Sequence, residues 1–357
     1  MMKFLLNRHL KWPVLLSLIL GLLFSLHTAA QSRRPREVAP KPKPTPTPPK
    51  IITSKPVPLN PQKKEQPKQT EPEEESSPIR ISSNLVAVPV SVTDPAGQPV
   101  RNLTPLDFRV EEEGLMQKIE FLGEPGKSPV EIAVLFDVSG SVHERFQFEQ
   151  QAVSRFLKTV FRPNDTTTIF TIGQDPKLVM ERTSNLDKAM SGALSVEPTK
   201  EQTALFDTVV RATHYLRETA APGTRRVIIV ISDGEDNSSE SYNLPQALRE
   251  LQQTDCIFYS INPSGKSIWL NKISQRGQDN MQSMAQITGG YAFLPDHLED
   301  LDAAFQQIAT ELQAQYLLGY YPSDERNDGK FRRIAVRVPK RPDLRIRARQ
   351  GYYAPKV

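Results

Sequence analysis

The stretch VLFDVSGSV sets Asp137, Ser139 and Ser141 at alternate positions directly after an apolar run. One carboxylate and two hydroxyls presented from alternate residues of a single turn are hard oxygen ligands. Such a set suits Mg²⁺, Mn²⁺ or Ca²⁺ rather than zinc or copper. Two later positions offer the same kind of group: Asp233, which ends the run RVIIVISD, and Thr203, which opens TALFD. The same residues fit two other chemistries. A strand-end aspartate followed by serines caps a helix, and a strand-end aspartate also serves as a phosphoryl-accepting nucleophile. The second needs another acid beside it to handle protons, and Ser139 takes the nearest position. Cys256 is the single cysteine, which excludes an internal disulfide and a cysteine-rich zinc site. The five histidines lack metal-ligand spacing, and glycine-rich phosphate loops and G-x-S-x-G are absent.

Asp137 and Asp233 each follow a strand. VEIAVLF (130–136), RVIIVIS (226–232) and 256–261 are nearly continuous apolar runs, as in strands covered on both faces. A strand at 167–172 has a hairpin partner at 177–182. Between these strands, helices are expected near 186–194, 204–218, 244–252 and 280–288. Phe146, Val153, Phe156, Leu157 and Val160 share one helical face, and Leu298, Leu301, Phe305, Ile308 and Leu312 another. Strands alternating with helices predict an α/β, doubly wound, mostly parallel sheet, with a short last strand at 291–294. Ligand sites in such sheets collect outside the carboxyl ends of the strands, where Asp137 and Asp233 fall. The loop residues Glu235, Asp236 and Asn237 read as solvated, and Asp207 as an acid serving the first turn of its own helix. Cys256 reads as a buried small hydrophobe.

The flanking segments, 79–128 and 314–357, read as strands. Val86, Val88, Val90 and Val92 alternate, and Pro89 within them points to an edge strand. Further strands are expected around 107–112 and 117–122. Near the C-terminus, Arg333 and Arg337 alternate with Ile334, Val336 and Val338, and Arg345, Arg347 and Arg349 with Leu344 and Ile346. This pattern predicts arginines turned outward from a half-solvated sheet; a basic face for anionic envelope polymers or lipid is the other reading. Each flank alone is at the size where a core is marginal. The first strand of residues 129–313 begins, and the last helix ends, at the pole opposite Asp137, so the flanks leave together and are expected to form one β-sandwich-like module.

Lys3, Arg8 and Lys11 precede an apolar run from Pro13 to Leu26, and Thr28, Ala29 and Ala30 precede Gln31. That is the pattern of a signal peptide over residues 1–30; an uncleaved N-terminal anchor is the alternative. No cysteine follows the run, so a lipid-anchored form is not expected. Thirteen of the 31 prolines lie between Pro35 and Pro78. This Pro-rich segment, 31–78, cannot bury enough apolar surface to fold; extended as polyproline II its ~45 residues reach on the order of 130 Å. Over all 357 residues, 45 Lys and Arg nearly balance 41 Asp and Glu, which argues against nucleic acid as a partner. The chain is expected to be exported, to the periplasm, the cell envelope or the medium.

D-x-S-x-S after an apolar strand, a later threonine and S-D-G after another apolar strand together resemble the von Willebrand factor A domain. The resemblance spans residues 129–313, about half of the chain. With TGGYAF at 288–293 and QYLLGYYP at 315–322, it looks like the exported A-domain-related proteins common in acidobacteria. The family's metal-ion-dependent adhesion site implies Asp137, Ser139, Ser141, Thr203 and Asp233 as ligands of a divalent cation, Mg²⁺ first and Mn²⁺ or Ca²⁺ otherwise. The implied function is metal-dependent binding of a protein partner that supplies an Asp or Glu to the metal, with no catalytic residues. The alternative is a structural or assembly factor of an envelope complex in which the metal only stabilises the fold; a hydrolase comes third.

Overall fold

The computed structural model describes residues 85–139, 146–199, 201–265, 272–297 and 300–356. The export segment, the Pro-rich segment, residues 79–84 and Ser141 lie outside the described residues. In chain order the elements are β1 (Val86–Thr93), β2 (Arg109–Glu112), β3 (Leu115–Gln117), β4 (Ile119–Gly123), β5 (Val130–Asp137), α1 (Phe146–Val160), β6 (Thr166–Ile172), β7 (Lys177–Thr183), α2 (Leu186–Leu194) and α3 (Leu205–Thr219). They continue as β8 (Arg225–Ile231), α4 (Leu244–Gln253), β9 (Cys256–Ile261), α5 (Lys272–Thr288), β10 (Ala292–Phe293), α6 (Asp300–Ala314), β11 (Tyr316–Tyr320), β12 (Phe331–Arg337), β13 (Arg345–Ala348) and β14 (Gly351–Tyr353).

Six strands form the central sheet in the order β10-β9-β8-β5-β6-β7. All pair in parallel except β7, which turns back antiparallel on β6. The apolar runs read as continuous because alternate residues enter two different cores. Ile132, Val134 and Phe136 of β5 pack with Phe156 of α1 and Phe305 of α6. Ala133 and Leu135 face the other way, among Leu205 and Val209 of α3, Leu251 of α4 and Met284 of α5. The one acid inside the run, Glu131, is fully buried and satisfied: it accepts from Arg182 Nε at 3.0 Å and Thr219 Oγ1 at 2.7 Å. Cys256 is buried in the second core, where desolvation pushes its thiol up to about 11.

The flanking strands build two antiparallel sheets, β13-β1-β11-β4 and β14-β12-β2-β3, so that each sheet draws strands from both ends of the chain. Between them lies one core, in which Val86, Val88, Val90 and Val92 meet Leu318, Tyr320, Ile334 and Val338. The flanks do leave from one place. Gly126 N–H donates to the Gln315 carbonyl at 3.4 Å, and Arg225 clasps the Leu312 and Ser128 carbonyls at 2.8 and 2.9 Å.

Two expectations about this module are corrected. First, β1 is no edge strand: it pairs with β11 over residues 86–90 and with β13 over 90–93. Pro89 is tolerated because the β13 ladder begins only at Val90, so the missing N–H removes no bond from it. Second, the arginines are not all outward. Arg333, Arg337 and Arg345 are exposed, but Arg349 is buried and Arg347 half-buried. Arg349 pairs with Asp255 and donates to the Ala87 carbonyl at 2.8 Å, where β1 extends past the end of β13. Arg347 pairs with Glu311 of α6, a carboxylate that also accepts from Ser91 and Tyr259 at 2.7 Å each. The solvent side of β13 is therefore in part a packing face against the central sheet and its helices. Period-2 patterning cannot reveal this, since a polar face reads the same whether water or a matched carboxylate meets it.

Candidate metal centre

Asp137 is the last residue of β5 and is fully buried. One carboxylate oxygen accepts the Ser139 N–H at 3.0 Å and the other the Ser232 hydroxyl at 2.6 Å. Burial is the main influence on this group and raises its pKa to about 6; the hydrogen bonds oppose the shift, and the negative charge of Asp233 adds to it. No Lys, Arg or His among the described residues pairs with Asp137. The donors to Asp137 are thus neutral and its charged neighbour is a second acid, Asp233, an arrangement in which a bound cation would favour the ionised carboxylate.

The neighbouring loops hold this pole together. Val138 extends the strand by donating to the Ile172 carbonyl at 3.1 Å, and its own carbonyl accepts Thr199 N–H at 2.6 Å. Ser232 continues β8, its N–H on the Ile261 carbonyl at 3.2 Å; its hydroxyl also accepts from Gly234 N–H at 3.0 Å. Asp233 folds the next turn by accepting the Glu235 N–H at 3.1 Å. Gly234 has φ +84°, and a Cβ there would come within 2.6 Å of the Gly277 carbonyl in α5. Only glycine meets both conditions, which explains the G of S-D-G.

Thr203 is buried in the loop before α3. Asn237 grips it from both sides: its side chain accepts Thr203 N–H at 2.8 Å, and its N–H donates to the Thr203 carbonyl at 3.0 Å. Asp236 accepts from Leu205 and Phe206 N–H at 2.8 and 3.3 Å, capping α3 from a different loop. Asp207 accepts the N–H groups of Glu240, Ser241 and Tyr242 at 2.8–3.2 Å. Asp236, Asn237 and Asp207 thus also act as loop clamps. Asn237 is exposed and Asp207 sits in the first turn of α3, both as expected, while Asp236 and Glu235 are half-buried and engaged, Glu235 accepting from Ser274 at 2.6 Å. The sequence signal for Asp236 was there in retrospect, because α3 starts on Ala204 with no capping side chain of its own.

Of the five expected ligands, Asp137, Ser139 and Asp233 come together at the ends of β5 and β8, and Thr203 is tied to the loop that follows Asp233. Ser141 lies outside the described residues. Among the described residues no three His, Cys, Asp or Glu side chains cluster as a metal group, and a shell of two carboxylates with hydroxyls would not form one. The residue neglected in the sequence is Ser232, whose hydroxyl orients Asp137.

Residues 132–235 match the family model of the von Willebrand factor type A domain. The chain carries a von Willebrand factor A domain. The match begins inside β5 and ends just past Asp233, so it takes in both acids of the A domain's candidate centre. Among solved structures, the conserved hypothetical protein BatB from Bacteroides thetaiotaomicron is similar at 21% identity and TM-score 0.39, over 51% of this chain and 98% of its own. A von Willebrand factor type A protein from Catenulispora acidiphila is similar at 12% identity and TM-score 0.44, over 65% of this chain and 51% of its own. The pilus adhesin SpaC from Lactobacillus rhamnosus GG is similar at 15% identity and TM-score 0.42, over 62% of this chain and 35% of its own. The chain thus spans about half the length of the Catenulispora protein and about a third of SpaC. No curated protein matches it.

Proposed function

We propose that this is an exported protein of the cell envelope whose A domain binds a protein partner through a divalent cation. The observation that carries the reading is the fully buried Asp137 carboxylate, set beside Asp233 and oriented by Ser232 and Ser139, with no side-chain cation among the described residues to neutralise it. Asp137, Ser139, Ser141, Thr203 and Asp233 would hold the ion; their oxygen-only donor set fits Mg²⁺, with Mn²⁺ or Ca²⁺ as substitutes. When bound, such a cation supplies residual positive charge and an exchangeable position suited to an Asp or Glu of the partner. The chain's own residues keep the two acids fixed at the strand ends and close the loops around them. Full burial of Asp137 and the lack of a general base or nucleophile in the described neighbourhood support binding rather than catalysis. The n-region, apolar run and small-residue site before Gln31 support export.

The burial of Asp137 also favours a second reading, in which the ion chiefly stabilises an assembly factor. Affinity capture from an envelope extract separates the two. For adhesion, proteins retained in Mg²⁺ are released by chelator while the A domain stays folded by circular dichroism. Release only in step with unfolding favours the stabilising role, and retention that ignores chelator overturns metal-dependent binding.

A further inference from the structure

A crevice of about 610 Å³ lies between the A domain and the β module, away from the candidate metal centre. It opens where β10, the edge of the central sheet, diverges from β13, the edge of its own sheet. The turn between α5 and β10 meets β13 at Gly289, where φ is +82° and a Cβ would strike the Ala348 backbone at 2.6 Å. Gln282 and Gln286, one helical turn apart on α5, line one wall, and Gln350 lies across from them. Among the described residues none of these three side-chain amides has a hydrogen-bond partner. Tyr291 stands at the mouth, 45% exposed. Arg347 lies 5.1 Å from its ring centroid, and Phe293 meets it edge-on at 4.8 Å.

The lining selects a ligand class. Among the described residues Arg347 is the only charged one in it, and Glu311 already neutralises that charge from within the junction. No carboxylate among the described residues lines the crevice. An ionic ligand would find no counter-charge, and a wholly apolar one would strip water from three amides without replacing it. Each amide offers two donors and an acceptor, which is the complement of a hydroxyl that both donates and accepts. The Tyr291 ring adds an apolar face with a polar rim. The volume is in the range of pockets that hold small ligands, and a junction between domains is where they commonly lie. An extended peptide added to the sheet fits less well, because β10 supplies only Ala292 and Phe293 as an open edge. We propose that this crevice binds a neutral oligosaccharide segment, with Tyr291 as the stacking platform and Gln282, Gln286 and Gln350 as hydroxyl partners.

The test uses the full chain, with chitotriose and maltotriose as neutral probes. Trigalacturonate serves as an anionic control and a Thr/Val-rich octapeptide as a strand-forming control. Saturation-transfer NMR should show transfer to sugar ring C–H protons from at least one neutral trisaccharide, unaltered by chelator or by Asp137→Ala. Tyr291→Ala should weaken the binding about tenfold, the equivalent of ~1.4 kcal/mol. Gln350→Ala, at an exposed position, should weaken it too without disturbing the fold. The proposal is overturned if neither neutral sugar binds, if trigalacturonate or the octapeptide binds in their place, or if both variants bind like the parent. Loss of sugar binding with Mg²⁺ response intact would sink this inference and leave the metal centre standing; the reverse result would do the opposite.

Discussion

Asp137 shows how much chemistry one residue at a strand end concentrates. Its carboxylate is fully buried, yet the bonds it accepts from Ser139 and Ser232 together with the charge of Asp233 leave it facing a second acid. A ligand that binds only the folded state at 100 times its Kd stabilises it by about 2.7 kcal/mol. Adding Mg²⁺ to chelator-stripped protein should therefore raise Tm, and Asp137→Ala should abolish that shift while preserving the circular dichroism spectrum. An unchanged Mg²⁺ response in the variant would remove Asp137 from the site. A second residue-scale prediction concerns Gly234. Alanine there faces a left-handed φ and a contact of 2.6 Å with the Gly277 carbonyl, so Gly234→Ala should cost more than about 1 kcal/mol in urea unfolding. A neutral substitution would mean that the turn relaxes freely.

At the scale of elements, the loop from Ser232 to Tyr242 organises the pole. Asn237 fixes the backbone of Thr203 on both sides, Asp236 caps α3, and Asp207 returns the favour by holding residues 240–242. The two halves of the candidate centre, one on the strand ends and one before α3, are coupled through this loop and through direct bonds to the strand ends. Thr199 N–H donates to the Val138 carbonyl at 2.6 Å and Ala204 N–H to the Gly173 carbonyl at 2.9 Å. Removing the cap by Asp236→Ala leaves the Leu205 and Phe206 N–H groups without their acceptor and should cost about 1–2 kcal/mol. Because the cap also sets the position of Thr203, Mg²⁺ titration followed by thermal shift should show weaker binding than in the parent. Stability lost with Mg²⁺ affinity unchanged would show that Thr203 is positioned by other contacts.

For the whole molecule, the decisive feature is that both sheets of the β module need both ends of the chain. β1 has β11 on one side and β13 on the other, and β2 pairs with β12. The junction with the central sheet is polar: buried Glu311 gathers Ser91, Tyr259 and Arg347, and buried Arg349 reaches the exposed Asp255. A fragment of residues 79–128 should therefore be unfolded alone, since fewer than about 60 residues without partner strands bury too little surface. It should gain structure when residues 314–357 are supplied. A cooperative melt of the isolated 79–128 fragment would overturn the shared-core architecture.

What the sequence determined by itself was whatever rests on local pattern. Apolar runs in β5, β8 and β9 and helical stripes such as Leu301, Phe305 and Ile308 dictate a parallel sheet covered on both faces. Chain direction alone then puts Asp137 and Asp233 at one pole and the two flanks at the other. The tertiary structure decided how polar side chains are spent. Pro89 sits in an interior strand because the neighbouring ladder starts one residue later, which no local signal records. Arg347 and Arg349 turn inward because Glu311 and Asp255, distant in sequence, meet them. Asp236, Asn237 and Ser232 serve the candidate centre through partners on other elements. Apolar burial follows from periodicity because any apolar neighbour satisfies it. A buried hydrogen bond or ion pair needs one particular partner at one distance, and only the assembled fold supplies that.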